Sequence, residues 1–327
     1  MQRILSLDIA RAICIILVVI GHYYPENSPG WYDSLHGLIY SFHMPLFMFA
    51  SGYVYMATNK ERNYGKFVWK KVKRLMIPYV VTSFIVITLK LLMQGNAYVQ
   101  NPVSFDSYLR VFYGPEAGFF LWFIWALWLM FLIVPLFRTK KSRLVLLAVA
   151  AVFAYVPLTL TEVFCIDKFR DMFVFFMLGA VAFDVQKSGL PIWERCNLPV
   201  TTVLFLALEG LFLFADMQFL AYVLPYVGIC FVLRASSAVA VTGGRVVDWL
   251  VKVSGLSYII YLFHTTFEGL AKAVLLKVPG WSAAMADGWM FGLGAMAVVL
   301  AGVVFPMLMG DWVLKRSRVL RFLFGLK

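Results

Sequence analysis

The sequence predicts an all-α membrane protein, a bundle of about ten transmembrane helices with both termini cytoplasmic. The first observation is composition: the chain of 327 residues is 62% hydrophobic and 14% charged, whereas soluble domains average about half apolar and about a quarter charged. The second is length: the apolar residues gather into runs, and a helix crosses a bilayer with about 20 of them. The third is the distribution of lysine and arginine between those runs.

Ten segments qualify as spans: 4–24, 35–56, 75–94, 118–137, 144–161, 172–186, 199–215, 217–234, 253–277 and 288–309. The sixth and seventh are short. The turn at Ala215–Asp216–Met217 is tight, so the seventh and eighth read as a hairpin. Cytoplasmic loops carry an excess of Lys and Arg. With the N-terminus inside, 22 of the 29 basic residues fall on the cytoplasmic side, beginning with Arg3, and four on the outer side. Arg11, Lys90 and Lys272 lie within spans. An error in the span count would send the basic loops to alternating sides, so the asymmetry supports ten.

The same loops account for the net charge of +12, and no nucleic-acid partner is expected. Cys14, Cys165, Cys196 and Cys230 lie far apart, without CxxC or metal-ligand spacing. Neither a disulfide framework nor a metal site is expected. Asp8 and Arg11 interrupt what would be the apolar region of a signal peptide, and "GHYYPEN" offers no small-x-small cleavage site, so the first segment reads as a retained span. Residues 1–327 read as a single membrane domain. The longest connections are 57–74 inside and 95–117 outside. "GPEAGFFLWF" places Glu116 and Trp122 at the outer mouth.

The first span, "DIARAICIILVVIGH" from Asp8 to His22, carries ionisable residues in an apolar run. Eleven residues is close to three turns, so Arg11 and His22 share a face about 16 Å apart along the axis. Asp8, three residues before Arg11, shares it too. One reading pairs Asp8 with Arg11 as an inner-surface anchor and leaves His22 interfacial. The other takes the stripe as a functional track, since ionisable residues inside spans usually face a cavity or pathway.

Arg11, ten residues and then His22 resembles the R-x10-H motif of the membrane acyltransferase-3 family, and "LDIARAICIILVVIGH" is similar to its fucose 4-O-acetylase-like branch. "SFHMPLFMFASGY" (Ser41–Tyr53), "KVKRLMIPY" (Lys71–Tyr79), "LWFIWALW" (Leu121–Trp128), "FFMLGAV" (Phe175–Val181) and "SYIIYLFH" (Ser257–His264) resemble later stretches in the family's order. The resemblance covers nearly the whole chain. It implies a ten-helix bundle that moves an acyl group, acetyl in the first instance, from acyl-CoA to a sugar hydroxyl of a cell-surface glycan or its lipid-linked precursor. It also implies a multi-pass protein of a bacterial inner membrane. The family's third helix often begins R-x-R; here Lys71-Val72-Lys73-Arg74 keeps the charge but only part of the guanidinium fork.

That chemistry assigns roles. An alcohol is a poor nucleophile until a base takes its proton, and histidine is the usual base. His22 is the candidate base, with acyl-histidine catalysis as a variant, and Arg11 is the second catalytic candidate. Asp8, Lys71, Lys73 and Arg74 are donor-binding candidates; for the basic run the competing reading is topology and anionic lipid. His43, Glu116 and Trp122 are acceptor-binding candidates, against helix–helix hydrogen bonding for His43 and the interfacial aromatic belt for Trp122. Tyr261, His264 and Glu268 share a face of the ninth span and are candidate supporting residues. His36 reads as incidental, and Glu209 has no assigned role. The competing function classes are a transporter or flippase, which would favour internal repeats that are not seen, and an acyltransferase acting on a lipid or a small molecule.

Overall fold

A computed structural model describes residues 4–25, 28–94, 101–190, 193, 195–215, 217–278 and 288–326. Arg3, Asp216 and the 95–100 part of the long connection fall outside these. Among the described residues the secondary structure is helical, with no strand. In chain order the helices are α1 (Leu5–His22), α2 (Gly30–Thr58), α3 (Tyr64–Lys71), α4 (Ile77–Met93), α5 (Ser107–Arg110), α6 (Trp122–Ile133), α7 (Lys140–Tyr155), α8 (Ile166–Lys187), α9 (Leu198–Phe214), α10 (Leu224–Thr242), α11 (Gly244–Leu275), α12 (Gly288–Met309) and α13 (Arg318–Leu323). A π-helical turn, Val72–Met76, joins α3 to α4, so helix runs from Tyr64 to Met93. Among the described residues, six helical runs are long and apolar enough to cross a membrane: α1, Tyr64–Met93, Phe119–Leu136, α10, α11 and Gly288–Leu314.

Several helices overrun the apolar segments, because backbone hydrogen bonding does not stop where hydropathy does. The run through α3 and α4 starts at Tyr64 rather than near 75, where Asn63 caps it by accepting from the Lys66 N–H at 2.9 Å. α11 starts at Gly244 rather than near 253. α7 instead stops early, at Tyr155, because Pro157 bars its predecessor from the helical region; Val156 is extended, with φ −76° and ψ 129°. The helix expected from 217 starts instead at Leu224, with Pro225 in its first turn, and a 3-10 turn, Gln218–Tyr222, precedes it.

The chain divides into two compact units, Met1–Ala50 with Val185–Gly310, and Ser51–Asp184 with Asp311–Lys327. The first unit is built around α1, which packs on α10 and α11, while α11 packs on α12. Lipid offers no hydrophobic driving force between helices, so close approach through small side chains carries the packing. Ala10, Ala12 and Cys14 of α1 are fully buried for that reason. Tyr32 and Tyr40 of α2 donate to carbonyls at the end of α1, Tyr32 to Tyr23 at 2.7 Å and Tyr40 to Gly21 at 3.3 Å. These bonds satisfy acceptors that a helix C-terminus leaves open.

In the second unit Tyr55 of α2, Phe67 of α3, Phe131 of α6 and Phe176 of α8 form an aromatic cluster, with ring centroids 5.6–6.0 Å from Tyr55. Gly52 lets α2 reach α8: a Cβ there would overlap the Phe176 carbonyl. Arg143 of α7 is buried and donates through Nε to Asp184 of α8 at 2.7 Å, and through Nη1 to the Arg138 carbonyl at 2.7 Å.

Candidate active site

The ionisable stripe of α1 faces α11. Arg11 Nη2 donates to Ser257 Oγ at 3.2 Å. Ser254 Oγ donates to Asp8 Oδ1 at 3.2 Å. Arg11 Nη1 and Asp8 Oδ1 are 3.6 Å apart. Farther along, the rings of His22 and His264 meet edge-on, with centroids 4.8 Å apart and planes at 87°. Asp8, Arg11 and His22 thus match Ser254, Ser257 and His264 in ascending order, so α1 and α11 run parallel. Spacing along one helix placed the stripe; the partners that hold it come from 246 residues away.

Both imidazoles are anchored by Nδ1. His22 Nδ1 lies 2.8 Å from the Val18 carbonyl, and His264 Nδ1 lies 2.8 Å from the Tyr261 carbonyl and 3.1 Å from that of Ile260. A carbonyl only accepts, so each Nδ1 carries the proton and Nε2 is the basic nitrogen of the neutral ring. His264 is fully buried, whereas His22 is partly exposed. His22 is therefore the more accessible of the two rings.

Glu268, one turn beyond His264, is buried, and its Oε1 has no hydrogen-bond partner among the described residues. It lies against Gly302 of α12: a Cβ at Gly302 would stand 2.9 Å from Glu268 Cγ, 3.0 Å from Oε1 and 2.8 Å from Val19 Cγ1 of α1. Three helices thus converge where only hydrogen fits. Gly302→Ala is expected to push the Glu268 carboxyl aside and to lower turnover several-fold with the helical content kept. Comparing turnover with circular dichroism checks this, and unchanged turnover would remove Glu268 from the site.

His43 of α2 is buried, with Nδ1 2.7 Å from the Ile39 carbonyl. Its own carbonyl accepts from Cys14 Sγ of α1 at 3.1 Å. It ends a column of rings that begins at exposed Tyr24: Tyr24–His36 and His36–Tyr40 are each 4.1 Å apart, and Tyr40–His43 is 4.8 Å. His36 is thus a stacked member of the column. Glu209 of α9 accepts a hydrogen bond from Ser41 Oγ, which gives this carboxyl a partner on α2.

The remaining candidates belong to the second unit. Lys71, Lys73 and Arg74 occupy the π-helical turn and its leading edge, a distortion that often marks functional positions. Two of these cations already rest on aromatic faces: Lys71 Nζ is 3.5 Å from the Phe131 centroid, and Lys73 Nζ is 5.3 Å from that of Trp69. Glu116 accepts from Ser107 Oγ at 3.0 Å and lies 3.8 Å from Arg110 Nη1. Trp122 opens α6, half-buried and edge-on to Phe123. Among the described residues no cluster of three His, Cys, Asp or Glu is placed to hold a metal ion.

Anchored imidazoles, an ion pair and a buried carboxyl on the facing helices of a multi-pass membrane protein define a protein with acid–base groups set inside its helix packing. A family model for an acyltransferase domain, that of the acyltransferase-3 family, matches residues 4–310, and the chain belongs to that family. Two curated relatives are nodulation proteins NolL. That of Sinorhizobium fredii (strain NBRC 101917 / NGR234) is 31% identical over 185 residues, covering 54% of this chain and 48% of that protein. That of Mesorhizobium japonicum (strain LMG 29417 / CECT 9101 / MAFF 303099) is 34% identical over 94 residues, covering 27% and 25%. The chain thus matches about half the length or less of these relatives. No solved structure matches it.

Proposed function

We propose that this protein transfers an acyl group, acetyl in the first instance, from acyl-CoA to a sugar hydroxyl of a cell-surface glycan or its lipid-linked precursor, in the inner membrane of a bacterium. The observation that carries this is His22: a partly exposed imidazole with Nδ1 anchored and Nε2 basic, in a chain of the acyltransferase-3 family. Nε2 takes the proton of the acceptor hydroxyl as its oxygen attacks the thioester carbonyl. The C–S bond breaks, and the departing thiolate takes the proton back from the imidazolium, releasing acylated sugar and free thiol. His264 holds the His22 ring edge-on, and Glu268 supports that pair. Arg11, held by Asp8 and Ser257, sets a positive charge in the inner half of α1, where the donor's negative charge arrives. Lys71, Lys73 and Arg74 serve the donor, and His43, Glu116 and Trp122 the acceptor.

The proposed topology has ten spans, with α2, α7, α8 and α9 joining the six runs of greater length and both termini cytoplasmic. The parallel course of α1 and α11 supports it, because the first and ninth spans of such a chain cross in the same direction. Mass spectrometry of surface glycans tests the function, comparing a deletion strain with strains complemented by wild type or by His22→Ala. An acetyl increment that disappears on deletion and returns only with wild type is the expected result. An unchanged glycan together with altered solute uptake would replace the enzyme with a transporter.

A further inference from the structure

The second unit contains a cavity of about 680 Å³ that none of the candidate site residues lines. It lies between the end of α2, the loop leading into α3, and the connection from α6 to α7. Its size falls within the range of small-molecule sites, about 300–1,000 Å³. Lys60, Arg62, Arg138 and Arg143 line it, together with the aromatic residues Tyr64 and Phe137. Glu61 is the one carboxylate among its lining residues, and Asp184 neutralises Arg143 from behind. The cavity therefore keeps a surplus of positive charge on the exposed side chains of Lys60, Arg62 and Arg138.

The rim is organised in advance of any ligand. Asn59 Oδ1 accepts from the Glu61 N–H at 3.2 Å, and Glu61 Oε1 accepts from the Asn63 N–H at 3.0 Å. This occupies the carboxylate that would otherwise oppose an anion. Arg138 Nη2 donates to the Arg62 carbonyl at 2.9 Å, tying the two sides of the mouth together. The Tyr64 hydroxyl donates to the Leu132 carbonyl at 2.9 Å, which fixes the ring beside the opening. Guanidinium forks suit phosphate oxygens, and fixed aromatic faces suit a planar base.

We infer that this cavity binds a phosphate-bearing nucleotide, the soluble end of the acyl-thioester donor. The inference deepens the function proposed above and rests on it for the identity of the donor. The ligand class follows from the cavity itself. An anionic lipid headgroup shares the phosphate but has no planar ring to use the aromatic faces, and basic side chains alone would serve it. Lys71 and Lys73 rest on Phe131 and Trp69, whereas Lys60 and Arg62 line this cavity with exposed side chains.

Calorimetric titration of the purified protein in nanodiscs of neutral phosphatidylcholine tests this, with coenzyme A and adenosine 3′,5′-bisphosphate as probes. Both are expected to bind the wild type. Arg62→Glu and Arg138→Glu are each expected to weaken binding at least tenfold, and Tyr64→Ala several-fold. Because the Arg62 link to Arg138 uses its backbone carbonyl, Arg62→Glu leaves that bond in place and reads the reversed charge. Nucleotide affinity unchanged in both arginine variants, or no nucleotide binding by the wild type, would overturn the inference. So would nanodiscs containing phosphatidylglycerol abolishing nucleotide binding through these same residues, which would make the cavity a lipid site. Binding that depends on Arg62 and Arg138 in a protein that accepts no acetyl group from acetyl-CoA would keep the cavity and remove the donor proposed above.

Discussion

Replacing His22 with alanine is expected to lower acyl transfer at least about a hundredfold while the protein still inserts and folds, because general base catalysis typically contributes roughly 10²–10⁴ in rate. The side chain is partly exposed, and its Nδ1 bond returns to its own helix at Val18. The remaining ring, His264, is fully buried with Nδ1 committed to backbone carbonyls, so it does not take over the exposed position. Added imidazole is expected to restore part of the rate in the alanine variant, which a merely structural role for His22 would not allow. The measurement is single-turnover transfer in proteoliposomes, with circular dichroism as the control for folding. A His22→Ala rate within tenfold of wild type would remove the base from this position.

The stripe itself was legible in the sequence, because helix geometry converts a spacing of three and of eleven into one face without any tertiary knowledge. What holds the stripe was not. Ser254 and Ser257 are ordinary small polar residues in an apolar run, and only the packing of α1 on α11 gives them Asp8 and Arg11 as partners. His264 and Glu268 could be placed on one face of α11, but not against His22 and Gly302. The basic run at 71–74 was visible as charge, yet the π-helical turn that carries it depends on one residue's difference in hydrogen bonding. The cavity was out of reach altogether: its lining comes from two separate stretches of chain, 55–67 and 135–143, whose connecting loops read only as cytoplasmic charge. Helix ends failed where hydropathy and hydrogen bonding part company, and Pro157 was the overlooked signal that α7 ends at Tyr155.

The largest effect on stability is expected at Asp184. Arg143 and Asp184 are both buried, and two guanidinium nitrogens converge on one carboxylate oxygen, at 2.7 and 2.5 Å. Asp184→Ala strands a buried cation, and breaking such a pair destabilises by about 3–5 kcal/mol. A loss of that size corresponds to a fall in the thermal midpoint of roughly 10 °C, measurable by intrinsic fluorescence in detergent. The double variant Arg143→Met with Asp184→Leu is expected to regain much of it, because two apolar side chains of similar length need no partner. Recovery will be incomplete, since Arg143 also serves the Arg138 carbonyl. A single variant as stable as wild type would mean that the cation reaches water by another route.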